Sequence, residues 1–135
     1  MKYHRVLVKL SGEALSEKDG ILSNDFLASI CKTLIDLSTY CQVSVVVGAG
    51  NICRGSMVSK NSNIGRVDAD YMGMLGTLIN SLAIKSVLNS LGAKAEVLSS
   101  IECGGFAPVF SKENAEKYLS NGYIVIFGGG TGKPF

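Results

Sequence analysis

Val43-Ser44-Val45-Val46-Val47-Gly48-Ala49-Gly50-Asn51-Ile52-Cys53-Arg54-Gly55 is the stretch that decides the fold. Four of its first five residues are valine, the composition of a strand buried on both faces. The apolar run then stops at Gly48, Ala49, Gly50 and Asn51. A buried strand that empties into small residues leaves bare backbone N–H groups at its C-terminal end, where a phosphate can approach closely and be hydrogen-bonded. Arg54 follows with a fixed positive charge and planar donors suited to phosphate.

Two other strands end the same way. His4 to Leu10 has β-branched alternation and runs into Ser11-Gly12-Glu13, and Tyr123 to Phe127 is fully apolar and runs into Gly128-Gly129-Gly130-Thr131-Gly132. Between them, a helix is expected from about Asp25, capped by Ser23 or Asn24, with Phe26, Leu27, Ile30 and Leu34 on its apolar stripe, ending near Tyr40. Ser56 to Gly65 reads as a loop. Val67 to Leu91 reads as one long helix stopped by Gly92, and Gly73 and Gly76 inside it imply the close approach of a ligand or a partner helix. A short strand at Ala95 to Leu98, a strand fragment at Val109-Phe110 and a helix from Lys112 to Asn121, between Ser111 as cap and Gly122 as stop, complete the chain. Strands alternating with helices specify a parallel α/β sheet covered by helices on both faces, in a single domain over residues 1–135.

Composition narrows the function. The 135 residues are 47% hydrophobic and 18% charged, enough for a packed core. A net charge of +2, without a basic run, argues against nucleic acid and acidic membranes as partners. No apolar run is read as membrane-spanning, and the N-terminus lacks the pattern of a signal peptide. Cys31, Cys41, Cys53 and Cys103 match neither a redox pair nor a zinc pattern, and they read as reduced thiols in a cytoplasmic protein. His4 is the only histidine and opens a strand, which excludes Ser-His-Asp and Cys-His chemistry within this chain.

In a parallel sheet the three small-residue turns lie along one edge, the edge where ligands bind. Together with Lys9 and Arg54 they point to phosphate or nucleotide. The common templates fail: Cys53 stands where G-x-G-x-x-G needs glycine, and Phe127 and Pro134 break a P-loop reading of Gly132-Lys133. Lys9, two residues before a Ser-Gly turn, suits the charge stabilisation that phosphoryl transfer requires. Asp70 either complements the start of its helix or accepts from ribose hydroxyls, and the residues alone leave both open. Between contacting phosphate and being solvated, Arg66 reads as solvated, and Glu102 and Glu113 read as surface residues over acid–base groups.

As a set, Lys-Leu-Ser-Gly-Glu-Ala-Leu at 9–15, Gly-Ala-Gly-Asn-Ile-Cys-Arg-Gly at 48–55, Asp-Tyr-Met-Gly-Met-Leu at 70–75 and Gly-Thr-Gly-Lys-Pro-Phe at 130–135 resemble the bacterial uridylate (UMP) kinases of the amino-acid kinase superfamily. The resemblance implies a parallel-rich twisted sheet sandwiched by helices, truncated after the last strand of the UMP-binding N-terminal portion. It implies transfer of phosphate from ATP to UMP with magnesium, within pyrimidine nucleotide synthesis. Lys9, Leu10, Ser11, Gly12, Gly50 and Arg54 would then border ATP, with Lys9 catalytic. Ala49, Asp70, Thr131, Gly132, Lys133, Pro134 and Phe135 would hold UMP, with Asp70 on the ribose, and no residue is assigned to a metal. The resemblance also implies a homo-oligomer, since the family forms hexamers built from dimers. Family members continue for a second half of similar size, so weak or no turnover is expected of the 135-residue chain. The competing readings are a carbamate, glutamate or aspartate kinase of the same superfamily and a non-catalytic nucleotide-binding module.

The chain departs from the family pattern at two of these motifs. The turn at 48–50 has Ala49 where the family has a third glycine, which is tolerable only if its φ is negative, and Lys133 replaces the usual asparagine.

Overall fold

The computed structural model describes residues 2–18, 20–53 and 62–133. Its regular elements are β1 (Arg5–Leu10), α1 (Asn24–Ser38), β2 (Gln42–Val47), α2 (Arg66–Ser90), β3 (Ala95–Ser99), α3 (Lys112–Ser120) and β4 (Ile124–Gly128), with one 3-10 turn at Glu13–Leu15. The four strands form one sheet in the order β1-β2-β4-β3, and every pairing is parallel. Val109 adds an isolated parallel bridge to Ser99, which is the expected strand fragment.

Side chains alternate across the sheet with period two, and each set meets a different helix layer. Val43, Val45, Val47, Val97, Ile124 and Ile126 face α1 and α2 and pack on Leu27, Cys31, Leu34, Leu78, Ile84 and Leu88. Leu98 and Val125 face the other way, onto Ala115 and Leu119 of α3. On the α3 side, Arg5 at the far edge donates to both carboxylate oxygens of Glu116 at 2.8 Å, holding that carboxyl below its ordinary range. The exposed setting of this pair makes it a weak contributor to stability.

Local signals account for the helix ends. The Ser23 hydroxyl accepts from Phe26 N–H, and Ser111 and Asn114 form a reciprocal capping box. Gly92 and Gly122 follow their helices with φ of +91° and +82°, a conformation that glycine adopts without a Cβ penalty.

Two expectations change. The 25-residue α2 is long and apolar enough by composition to cross a membrane, with a mean hydropathy of 1.2. Part of its apolar content belongs to the core: Leu78, Ile84 and Leu88 are buried against the sheet, and Lys85 pairs with Glu96 of β3 at 2.8 Å. A second apolar stripe on α2, at Val67, Tyr71, Leu75 and Ile79, remains exposed. The other change concerns Gly76, which accommodates the turn after β2 and neither a ligand nor a partner helix. A Cβ at Gly73 would meet nothing within 4 Å, whereas one at Gly76 would lie 2.8 Å from Cβ of Ala49.

Burial pushes the Cys31 thiol up to about 11 from its ordinary value near 9. The folded state therefore keeps a proton that the unfolded chain releases as pH rises through that interval, so stability is lost with rising pH. Urea unfolding should show the wild type losing up to about 1.4 kcal/mol per pH unit more than Cys31→Ala between those values. Parallel pH profiles for the two proteins would refute the assignment to Cys31.

Candidate nucleotide-phosphate site

β1 and β2 end level with one another, Leu10 opposite Val47, and Gly48 N–H donates to Leu10 C=O at 3.0 Å. The two turns that follow are in direct backbone contact. A Cβ on Gly12 would fall 2.5 Å from Gly50 N and 2.6 Å from Gly48 O, so glycine is required there by proximity. Gly12 itself has a helical φ of −60°. Among the described residues no non-glycine has positive φ, so Ala49 meets the condition its methyl imposes.

A cleft of about 650 Å³ opens above these turns. Lys9, Ser11 and Gly12 line one side, Gly48, Ala49 and Gly50 the base, and Arg66, Asp70, Gly73 and Thr77 of α2 the other side. Lys9 leaves β1 on an exposed face, and no described carboxylate forms an ion pair with it. A rigid strand thus presents an uncommitted ammonium to a cleft based on small-residue turns, an arrangement suited to phosphate.

Asp70 adds a second kind of chemistry. Its Oδ1 accepts from Arg66 Nε at 3.1 Å, while Oδ2 is buried without a hydrogen-bond partner. A buried carboxylate oxygen left unpaired is costly, and a hydroxyl entering the cleft would satisfy it. Arg66, read from the sequence as solvated, keeps an exposed side chain, and it also lines the cleft and pairs with Asp70. The spacing of four residues on one helix was the available signal.

The third turn lies beside this cleft. Thr131, Gly132 and Lys133 follow β4 and do not line it. Gly130 borders an adjoining groove with Phe110, Phe127 and Ser100. Thr77 joins the two regions: it lines the cleft, and its hydroxyl accepts from Gly129 N–H at 2.8 Å. Gly129 and Gly132 adopt φ of +88° and +78° where the turn passes Ser100. The Thr131 hydroxyl then accepts from Lys133 N–H and donates to Lys133 C=O, closing a tight local turn.

The structure therefore brings Lys9, Leu10, Ser11, Gly12, Ala49, Gly50 and Asp70 to one cleft. It sets Thr131, Gly132 and Lys133 at the neighbouring strand end. Arg54, Pro134 and Phe135 lie outside the described residues. Gly73, where the sequence implies a close approach, lines the cleft, whereas Thr77 was missed because helical spacing merged it with the apolar pattern. Asn80 was missed for the same reason. It is fully buried and donates to Gly48 C=O at 2.8 Å.

The pattern of the amino acid kinase family matches residues 4–134. The chain is 49% identical to a uridylate kinase of Mycoplasma mobile, an alignment covering 100% of the chain and 56% of the relative. It is 43% identical to a uridylate kinase of a Sulfurovum species, covering 97% and 57%. Among solved structures, the UMP kinase of Ureaplasma parvum superposes with a TM-score of 0.92 at 35% identity, over 98% of this chain and 58% of that one. The UMP kinase of Bacillus anthracis gives 0.90 at 43% identity, over 98% and 55%. The chain spans little more than half the length of these relatives. With the parallel sheet, the paired turns and this match over nearly its whole length, the chain belongs to the amino acid kinase family.

Proposed function

We propose that this chain supplies the UMP-binding part and the lysine-bearing wall of a uridylate kinase, a cytoplasmic enzyme that transfers the γ-phosphoryl group of ATP to UMP. The observation that carries the reading is the convergence in one cleft of Lys9, the two touching turns at 11–12 and 48–50, and the unpartnered Oδ2 of Asp70. A phosphate oxygen of UMP attacks the γ-phosphorus, the bond to the bridging oxygen of ADP breaks, and UDP leaves. The protein's part in such a reaction is positioning and charge stabilisation. Lys9 stabilises the transferring group. The backbone of Leu10, Ser11, Gly12 and Gly50, with Arg54, borders the ATP phosphates. Ala49 and Thr131 to Phe135 border UMP, and Asp70 accepts from its ribose.

Magnesium would enter on the triphosphate. The described residues contain no group of three His, Cys, Asp or Glu side chains to cage it. Because the chain spans little more than half of its relatives, turnover is proposed for this chain joined to the remaining length of the fold, and weak or absent turnover for the 135 residues alone. The exposed stripe Val67, Tyr71, Leu75 and Ile79 on α2, half-exposed at Leu75, supports self-association through this helix.

Three measurements test this reading. In a phosphotransfer assay of the full-length enzyme with UMP, CMP and AMP, UMP should be strongly preferred, and Lys9→Ala should lower kcat about 10²–10³-fold while UMP affinity stays within a few-fold. Loss of affinity with kcat preserved would make Lys9 a binding residue only. Asp70→Asn should weaken UMP binding about tenfold or more and abolish the preference for UMP over its 2′,3′-dideoxy analogue; a preference retained in the variant would remove Asp70 from the ribose. Sedimentation should show Leu75→Asp as a smaller species than the wild type, and equal sizes would remove α2 from the interface.

A further inference from the structure

The turn at 48–51 is held from both sides, and its hold on α2 is specific. Gly76 and Asn80 stand one helical turn apart, on the same face of that helix. At Gly76 the missing side chain is what admits the buried methyl of Ala49. A Cβ there would lie 2.8 Å from Ala49 Cβ, closer than packed carbons approach, while Ile52 Cβ at 3.6 Å would be in ordinary contact. The turn cannot yield in the other direction, because Gly12 already rests against Gly48 and Gly50.

Asn80 supplies the polar half of the hold. Fully buried, its amide nitrogen donates to Gly48 C=O at 2.8 Å and to Asn51 Oδ1 at 2.7 Å. Asn51 returns the bond to Asn80 Oδ1 at 3.0 Å and donates to Ile21 C=O at 2.6 Å. The reciprocal amide pair ties both ends of the turn to one point on the helix and, through Asn51, to the segment before α1. Buried amides satisfied in this way define a single geometry, since any displacement leaves several polar groups unpaired.

We propose that Gly76 and Asn80 are positioning residues for the phosphate-facing turn, acting through Ala49, Gly48 and Asn51 without touching ligand. Gly76 and Ala49 form a steric pair in which one methyl is allowed and two are not. The nucleotide consequence rests on the uridylate kinase reading, and the geometric claim does not.

The test is a double-variant cycle on Gly76→Ala and Ala49→Gly, read by titration with UMP and by the backbone amide resonances of Gly50 and Asn51. Helix propensity alone favours alanine at 76, so a merely structural role predicts a more stable protein with unchanged UMP affinity. Positioning predicts that Gly76→Ala weakens UMP binding about tenfold and shifts both resonances, and that adding Ala49→Gly returns affinity to within about threefold and the resonances toward wild type. Asn80→Ala should shift the same resonances, and Ala49→Gly should not rescue it. If Gly76→Ala fails to fold, recovery of folding in the double variant supports the steric pair. Additive effects in the cycle, or unshifted Gly50 and Asn51 resonances in Gly76→Ala, overturn the proposal. Failure of the wild type to bind UMP would remove the functional reading, while the resonances still decide the positioning claim.

Discussion

The site depends on backbone approaching backbone at the C-terminal rim of the sheet. The turn 48–50 sits between Gly12 and Gly76, and a side chain on either neighbour would collide with it. Close approach of this kind removes the freedom to exchange those residues and leaves small-residue backbone facing the cleft. The parallel register of β1 and β2 makes the contact possible by bringing both strands to the same level before their turns begin. A shift of one residue would also turn every inward valine outward, so core burial and site geometry enforce the same alignment.

The long helix α2 serves the core and the site with different faces. Leu78, Ile84 and Leu88 bind it to the sheet. Arg66, Asp70, Gly73 and Thr77 border the cleft, and Thr77 also carries the hydrogen bond to Gly129 that links the third turn. Gly76 and Asn80 meet the turn itself. One rigid element therefore relates all three strand ends to one another. Preorganised groups on such an element stabilise developing charge without reorganising during reaction.

Much of this was legible in the chain. The apolar strands, the caps at Ser23 and Ser111, and the glycine stops at 92 and 122 follow from local propensity and reappear within a residue or two. The gathering of Lys9, Ser11, Gly12, Ala49 and Gly50 followed from the rule that parallel strands end on one edge. What escaped notice were residues whose importance is relational. Asn80 looks like one polar interruption in an apolar helix, and Arg66 like any surface cation, until the partners Gly48 and Asp70 are in place. Gly73 and Gly76 look alike in sequence, yet only Gly76 has a neighbour to accommodate.

The sequence by itself determined the alternation of strand and helix, the all-parallel sheet that such alternation demands, and the three small-residue turns, because these depend on side-chain periodicity and on conformations within a few residues. Only the tertiary structure decided that β4 inserts between β2 and β3, that the third turn borders an adjoining groove instead of the main cleft, and that Asp70 keeps one oxygen unpaired. Those outcomes depend on contacts between segments far apart in the chain, such as β2 with β4 in the pairing of Ser44 with Val125, 81 residues on, where packing and exclusion of overlapping atoms select among arrangements that local propensity treats as equal.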